Sequence, residues 1–428
     1  MSVKNIFSLA AFSALLVFTS CKKDYVNPGA APSEQVATSA KALTGVAVGL
    51  QKVYTAGRAG SLYNRITTDG FITNQLVILN QGNTAEYQLY QGGNFIDGTN
   101  TVNANLWTSS NKILHDAELV ITSAEGFADK NYASGLIGYA TIFKALAIGD
   151  LVAYWERVPA TTGAAVTFVT RAEGLKRAID ALDKAAALIA ASPVPSSFTT
   201  NIPSGIDIAN TLTALRARFN LYAGNYAAAN TAAAAVDLSK ASAFTFNAVN
   251  LNPIFETATS TNNVYQPIDS TMGLPPGLQP DLADKRIPFY IATSTAAPRY
   301  RIAGFGVGSL TPMPIYLPGE MMLIRAEASA RQNDLVNGLA ELNKVVTKKP
   351  AADPFGVGAD LPPVVAATQA QLLDQIYRHR TIEMYLSGTK LEDMRRFARP
   401  TAERKRNYFP YPFQERDNNS NTPADPAF

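Results

Sequence analysis

The 428-residue chain is 47 % apolar and 17 % charged, a balance that suits a folded, water-compatible body with a sizeable core. Its 37 basic and 34 acidic residues leave a formal charge of +3, too small to argue for nucleic acid or an acidic surface as partner. A single cysteine excludes an intramolecular disulfide.

That cysteine closes the most informative segment of the N-terminus. Lys4 gives a positive start, and Ile6 to Phe18 form an apolar run too short to span a bilayer. Phe18-Thr19-Ser20-Cys21 then looks like a lipobox, in which Cys21 is diacylated and becomes the mature N-terminus. Residues 1–20 read as a lipoprotein signal peptide, and 21–40, polar and rich in small residues, as a lipid-anchored tether. No later apolar stretch is expected to approach the ~18–20 residues of a spanning helix, so attachment rests on the lipid alone.

From residue 41 the chain reads as one mostly α-helical domain ending at 428. Leu43, Val46, Leu50 and Val53 fall at helical spacing. Residues 80–105 carry Gly, Asn and Thr between Tyr87, Tyr90 and Phe95 and predict a long loop or short irregular strands. Trp107, Leu114, Glu118 and Ile121 predict a helix broken at Gly126, and Tyr132 to Asp150 a second. Residues 172–191 stack Leu175, Ile179, Leu182 and Ile189 at three- and four-residue steps before Pro193.

Two helix–turn–helix units follow. One runs through Leu212 to Tyr222, turns at Gly224-Asn225 and returns through Val236. The other runs from Glu320 to Ala330, turns at Asn333-Asp334 and returns through Val346. Small residues at the expected facing positions (Ala217, Ala223, Ala229 and Ala233; Ala326, Ala330 and Ala340) suggest close, irregular tetratricopeptide-like pairs without a fixed 34-residue period. Between the units, about 241–318, a loop-rich insertion shows little periodicity, but its aromatic and charged residues argue against disorder. A last helix or helix pair is predicted over 370–397, and an extended Pro- and Asn-rich tail from Tyr408.

Within that last helical segment, Arg380, Glu383, Gly388, Lys390, Asp393, Met394 and Arg396 form an ordered constellation. It resembles the most recognisable segment of the SusD/RagB family of outer-membrane lipoproteins, with Ser387, Lys390 and Met394 where Glu, Arg and Leu are usual. Three further segments resemble the family in the same order: Trp107 to Leu119, Pro314 to Ala328, and Phe409 to Asn419. Read physically, the charges are an ion network rather than a catalytic set. Arg380 can pair with Glu383 one turn away, and Asp393 with Arg396 or Arg380.

The chemistry of a reaction is not visible. His115 and His379 are far apart on amphipathic helices and read as satisfied surface or groove histidines, so no metal site is expected. Gly304-Phe305-Gly306-Val307-Gly308 lacks the rest of a phosphate loop and reads as a flexible turn. Asp281 and Asp284 have ordinary spacing, Trp107 and Trp155 are assigned to packing, and no nucleophile–base pair stands out. The chain is therefore not expected to be an enzyme, and no cofactor is implied.

Binding suits the residues better. Sugars are held by aromatic faces with Asn, Asp and Arg on their hydroxyls. Two predicted loops carry that mixture: 61–97, with Tyr63, Arg65, Asp69, Tyr87, Tyr90 and Phe95, and 255–301, with Tyr290, Arg299, Tyr300 and Arg301. A peptide would use similar groups, so oligosaccharide and peptide both stay open. The family resemblance implies a cell-surface lipoprotein that passes its ligand to a SusC-like TonB-dependent β-barrel transporter, with the repeat helices against the barrel. A helical-repeat envelope scaffold and an anchored hydrolase are the alternatives.

Overall fold

The structure, a computed structural model, describes residues 38–427. The expected signal peptide, Cys21 and most of the expected tether lie outside the described residues.

Helix α1 (Ala40–Thr55) starts at Ser39, whose hydroxyl accepts from Ala42 N, and buries Leu43, Ala47, Leu50 and Tyr54. Helix α2 (Ser61–Ile72) follows, then strand β1 (Leu76–Ile78) and helix α3 (Thr84–Gln91). Helices α4 (Thr101–Glu125), α5 (Lys130–Tyr154) and α6 (Arg171–Ala191) form the centre. Asp129 caps α5 by accepting from Asn131 N and Tyr132 N, and Thr170 with Glu173 makes a reciprocal capping box on α6. Strands β2 (Arg157–Pro159) and β3 (Phe168–Thr170) pair between α5 and α6.

Helix α5 corrects one expectation. By length and composition it is apolar enough to cross a membrane. It lies instead in the core, where α1, α4, α6 and helix α7 (Ile208–Tyr222) pack on it. A helix apolar all round needs neighbours on every side, and here it has them.

The paired-helix scaffold is present as read. Helix α7 packs on α8 (Tyr226–Ala234), α8 on α9 (Pro318–Arg331), and α9 on both α10 (Leu335–Val346) and α11 (Gln369–Glu383). Ala217, Ala229, Ala233, Ala326 and Ala330 are buried between the helices. Ala223 and Ala340 face solvent instead. The close approach of α10 is made at Gly338, where a methyl group would sit 3.1 Å from the Ala326 carbonyl oxygen.

The region 241–318 contains short, paired elements. Strand β4 (Ala243–Phe244) pairs antiparallel with β8 (Met313–Pro314), and β5 (Tyr265–Pro267) pairs with β1. A short helical turn at Arg286–Tyr290 leads into the hairpin of β6 (Ile291–Thr293) and β7 (Tyr300–Ile302). The tail is not wholly extended, since Phe413–Asn418 is helical.

The C-terminal constellation is a buried ionic frame. Glu383, fully buried, accepts from Arg286 Nη1 at 2.9 Å and from Lys348 Nζ at 2.7 Å. Arg286 also binds Asp284 through Nε and Nη2, and Lys348 binds Asp353. A second set joins Arg380 to Asp393, Arg396 to Asp393 and Glu327, and Arg331 to Glu327. The expected Arg380–Glu383 pair is replaced by these longer-range partners. The guanidinium groups hold the Glu327 and Asp393 carboxyls below their usual range against the opposing effect of burial. His379 is in the core rather than at the surface, with Nδ1 2.8 Å from Arg286 Nη2. Burial, then the Arg286 charge, pushes its pKa well down.

The frame dictates a glycine. A methyl group on Gly319, near the start of α9, would lie 1.8 Å from Glu383 Oε1. Gly319→Ala should cost about 1–3 kcal/mol in denaturant unfolding, as overpacking of a rigid site does. Gly45→Ala on α1, where nothing lies within 4 Å, should instead stabilise by about 0.5–1 kcal/mol. Equal effects would refute the close-approach reading.

A buried carboxylate on α5 sets a second prediction. Asp150 Oδ1 lies 3.3 Å from Arg65 Nη1, and burial pushes its pKa up to about 7 against the lowering effect of Arg65. A carboxyl whose folded pKa exceeds its unfolded value of about 3.9 stabilises the fold fully below that value. The contribution is lost as pH rises through about 7. Between pH 7.5 and 5 the natural chain should therefore gain stability relative to Asp150→Asn in urea unfolding. A difference that stays constant over that window would contradict it.

Candidate functional site

The predicted binding residues divide by burial. Tyr63, Arg65 and Asp69 are on α2, a helix and not a loop. Its polar residues are bonded inward, which is why the segment looks loop-like in sequence. Tyr63 is fully buried and donates to Glu86 Oε1 at 2.7 Å. Arg65 donates from Nε to the Gly388 carbonyl at 3.1 Å. Gly388 itself has φ +73 and could not carry a side chain beside the Arg65 stem.

Asp69 caps helix α12 (Lys390–Arg396), accepting from Lys390 N at 3.1 Å and Leu391 N at 2.8 Å. Burial pushes its pKa up to about 6 despite those donors. The Lys390 amine donates to the Thr73 and Gly273 carbonyls, and burial pushes it down to about 7. Tyr290 is buried and donates to the Glu383 carbonyl at 2.6 Å. Arg65 and Tyr290 line, with Tyr54, Arg218 and Tyr385, a narrow, partly open pocket of about 40 Å³. That space suits about one water and no sugar ring.

The other predicted residues reach solvent. The 80–105 loop expectation is corrected by α3, a helix that Gly92 and Gly93 end with positive φ. Its Thr, Asn and Gly content hides it in sequence, and tertiary contacts hold it. Asn100, the α4 cap, donates to the Ala85 carbonyl and Gln88 Oε1, while Arg58 and Tyr63 both donate to Glu86. Tyr87 and Tyr90 are half-buried on α3, their rings stacked at 6.5 Å and 21°. Lys405 lies 4.1 Å from the Tyr90 ring centroid, so Tyr87 is the more available of the two.

Strand β1 packs on α3 and pairs with β5, with Val77 opposite Gln266. Gln266 continues the row, its Oε1 accepting from Ile302 N on β7 at 2.7 Å. On the β6–β7 hairpin Thr293 faces Tyr300 and Ala292 faces Arg301. Arg299 is exposed at the hairpin end, 5.5 Å from the half-buried Tyr300 ring, and Arg301 is half-buried. The structure thus brings the two predicted regions onto neighbouring elements: α3 packs on β1, β1 pairs with β5, and the Gln266 side chain links β5 to the β6–β7 hairpin.

Sequence reading missed the hairpin's footing. Phe305 packs 5.3 Å from Phe289, 6.0 Å from Tyr290 and 5.9 Å from Phe355. Phe355 sits in an irregular segment with no local signal to assign it there. Phe95 lies past the end of α3, in a short turn whose Gly93 N donates to the Lys405 carbonyl. Trp107 and Trp155 pack edge to face at 4.8 Å, as expected for core residues.

Among the described residues no group of three or more His, Cys, Asp or Glu side chains could hold a metal ion. The row offers aromatic faces, guanidinium groups and peptide edges on a fixed base. Such a surface can hold a polar, ring-bearing solute by stacking and hydrogen bonding.

Residues 305–426 match the sequence pattern of the SusD family. No curated protein matches the chain. Among solved structures, a SusD superfamily protein from Bacteroides fragilis is 16 % identical with a TM-score of 0.66, over 90 % of this chain and 99 % of that one. A putative sugar-binding protein from Bacteroides vulgatus is 15 % identical with a TM-score of 0.68, over 90 % and 98 %. A laminarin-binding SusD-like protein is 14 % identical with a TM-score of 0.65, over 91 % and 99 %. Mostly α, with tetratricopeptide-like helix pairs and short strands, this chain has the SusD fold, and its residues 305–426 carry the SusD family pattern.

Proposed function

We propose that the chain is a glycan-binding lipoprotein of the outer membrane that captures an oligosaccharide at the cell surface without altering it. The observation that carries this reading is the fixed row in which Tyr87 on α3 and Tyr300 with Arg299 on the hairpin stay solvent-accessible on a rigid helical base. Structural similarity to proteins described as binding sugar and laminarin favours glycan over peptide as the ligand class. In this reading Tyr87 and Tyr300 stack on sugar C–H faces, and Arg299 and Arg301 bond hydroxyls.

Delivery completes the proposal. Cys21 carries the lipid, residues 22–40 span from the lipid to the fold, and the paired helices α7 to α11 lie against a SusC-like TonB-dependent β-barrel. A ligand held between the row and the barrel favours the closed arrangement of the two, and the barrel takes the ligand inward.

Calorimetric titration of the mature body with laminari-, malto- and xylo-oligosaccharides tests the binding step. At least one should bind saturably, and Tyr87→Ala and Tyr300→Ala should each weaken it roughly threefold to tenfold, the effect of losing one stacked ring. Chromatography of the recovered ligand should show it uncleaved. Unchanged affinity in both variants would remove the row as the site, and cleavage would remove the non-catalytic reading.

A further inference from the structure

Two arginines line the narrow pocket that Tyr54 and Tyr290 share, Arg65 from α2 and Arg218 from α7. Arg218 is buried, with Nε and Nη2 donating to Glu320 and Nη2 also to the Ile315 carbonyl at 2.7 Å. Its Nη1 has no partner among the described residues. Arg65 donates from Nε to the Gly388 carbonyl and from Nη1 to the Tyr54 hydroxyl, and its Nη2 is likewise without a partner there. Neither free nitrogen is sealed in protein in the way that Arg380 Nη1 and Arg396 Nη1 are.

The surroundings favour a ligand that only accepts. Leu62, Leu146 and Phe244 make much of the wall apolar, and the Tyr290 and Tyr385 hydroxyls already donate to backbone carbonyls. A water accepting from both guanidinium groups would turn its own hydrogens toward that wall, whereas an anion has none to place. The charges point the same way. Glu320 neutralises Arg218 with two short bonds, but Asp150 faces Arg65 at 3.3 Å with no hydrogen bond on either oxygen. Both guanidinium charges act on the Tyr54 hydroxyl and the Asp150 carboxyl, and Arg65 acts on Arg218. Because burial pushes the Asp150 pKa up to about 7, Arg65 has no ionised partner on the acid side of neutrality.

We propose that this pocket binds one small monovalent anion of chloride size, held by Arg65 Nη2 and Arg218 Nη1. A volume of about 40 Å³ admits an ion of roughly a water's dimensions. The bound ion ties α2 to α7 and relieves two like charges in a place largely closed to solvent. Ionised Asp150 competes with it for Arg65. The site does not rest on glycan capture, and the two readings can fail separately.

Bromide, which occupies chloride sites and scatters X-rays anomalously, is the probe. Crystals of the mature chain soaked in sodium bromide at pH 6 should carry an anomalous peak within bonding distance of both nitrogens. In solution, the chlorine NMR line of sodium chloride should broaden saturably with the natural chain. Asp150→Asn, which removes the competing carboxylate, should bind chloride more tightly than the natural chain at pH 8. Arg65→Leu, made in the Asp150→Asn chain so that no charge is stranded, should weaken binding about tenfold, the effect of losing one charge-assisted hydrogen bond. No peak in the pocket, a peak that misses either arginine, weaker chloride binding in Asp150→Asn, or broadening unchanged by Arg65→Leu would overturn the proposal.

Discussion

Glu383 is the point on which the rest of the structure is hung. A carboxylate with no solvent exposure must be bonded on both oxygens, and here one takes Arg286 and the other Lys348. Those partners come from different parts of the chain. Arg286 opens the turn before the hairpin, and Lys348 follows α10. Satisfying one buried charge therefore fixes three segments together. Removing a partner would strand a charge in the core, which makes the arrangement specific even where its net stabilisation is small.

That constraint explains how irregular segments stand on a helical scaffold. The hairpin is rooted by Arg286 and Tyr290, and Gln266 binds its inner strand to the β1–β5 pair. On the other flank, Glu86 and Asn100 fix α3 to α2 and α4. Asp69 reaches from α2 to the start of α12, so the N-terminal helices and the C-terminal motif hold each other. A surface set on such supports would lose little freedom on meeting a ligand, which suits the proposed recognition without induced ordering.

The paired helices were legible because their apolar spacing and turn residues follow local rules, as in 172–191 and 320–346. The C-terminal charges were legible as a network, but their partners were not. Arg286 and Lys348 are 97 and 35 residues from Glu383, and nothing local marks them. Helix α2 looks like a loop in sequence because Asn64, Thr67 and Asp69 are loop-type residues whose partners are buried elsewhere in the fold. Helix α3 is hidden in sequence because Asn100, and Arg58 and Tyr63 through Glu86, hold it from outside its own residues. Tyr87, Tyr300 and Arg299 could be named as candidates from composition alone, while Tyr63, Asp69 and Tyr290 share that composition and serve the core. Burial separates the two groups, and burial is a tertiary property.

Hydrogen exchange read by mass spectrometry, comparing the natural chain with Glu383→Gln, tests most directly whether the ionic hub holds the hairpin. Loss of the hub should raise exchange together in residues 284–302 and 345–357 while α4 to α6 keep their protection. Exchange that rises evenly over the whole chain, or that leaves 284–302 as protected as before, would contradict it.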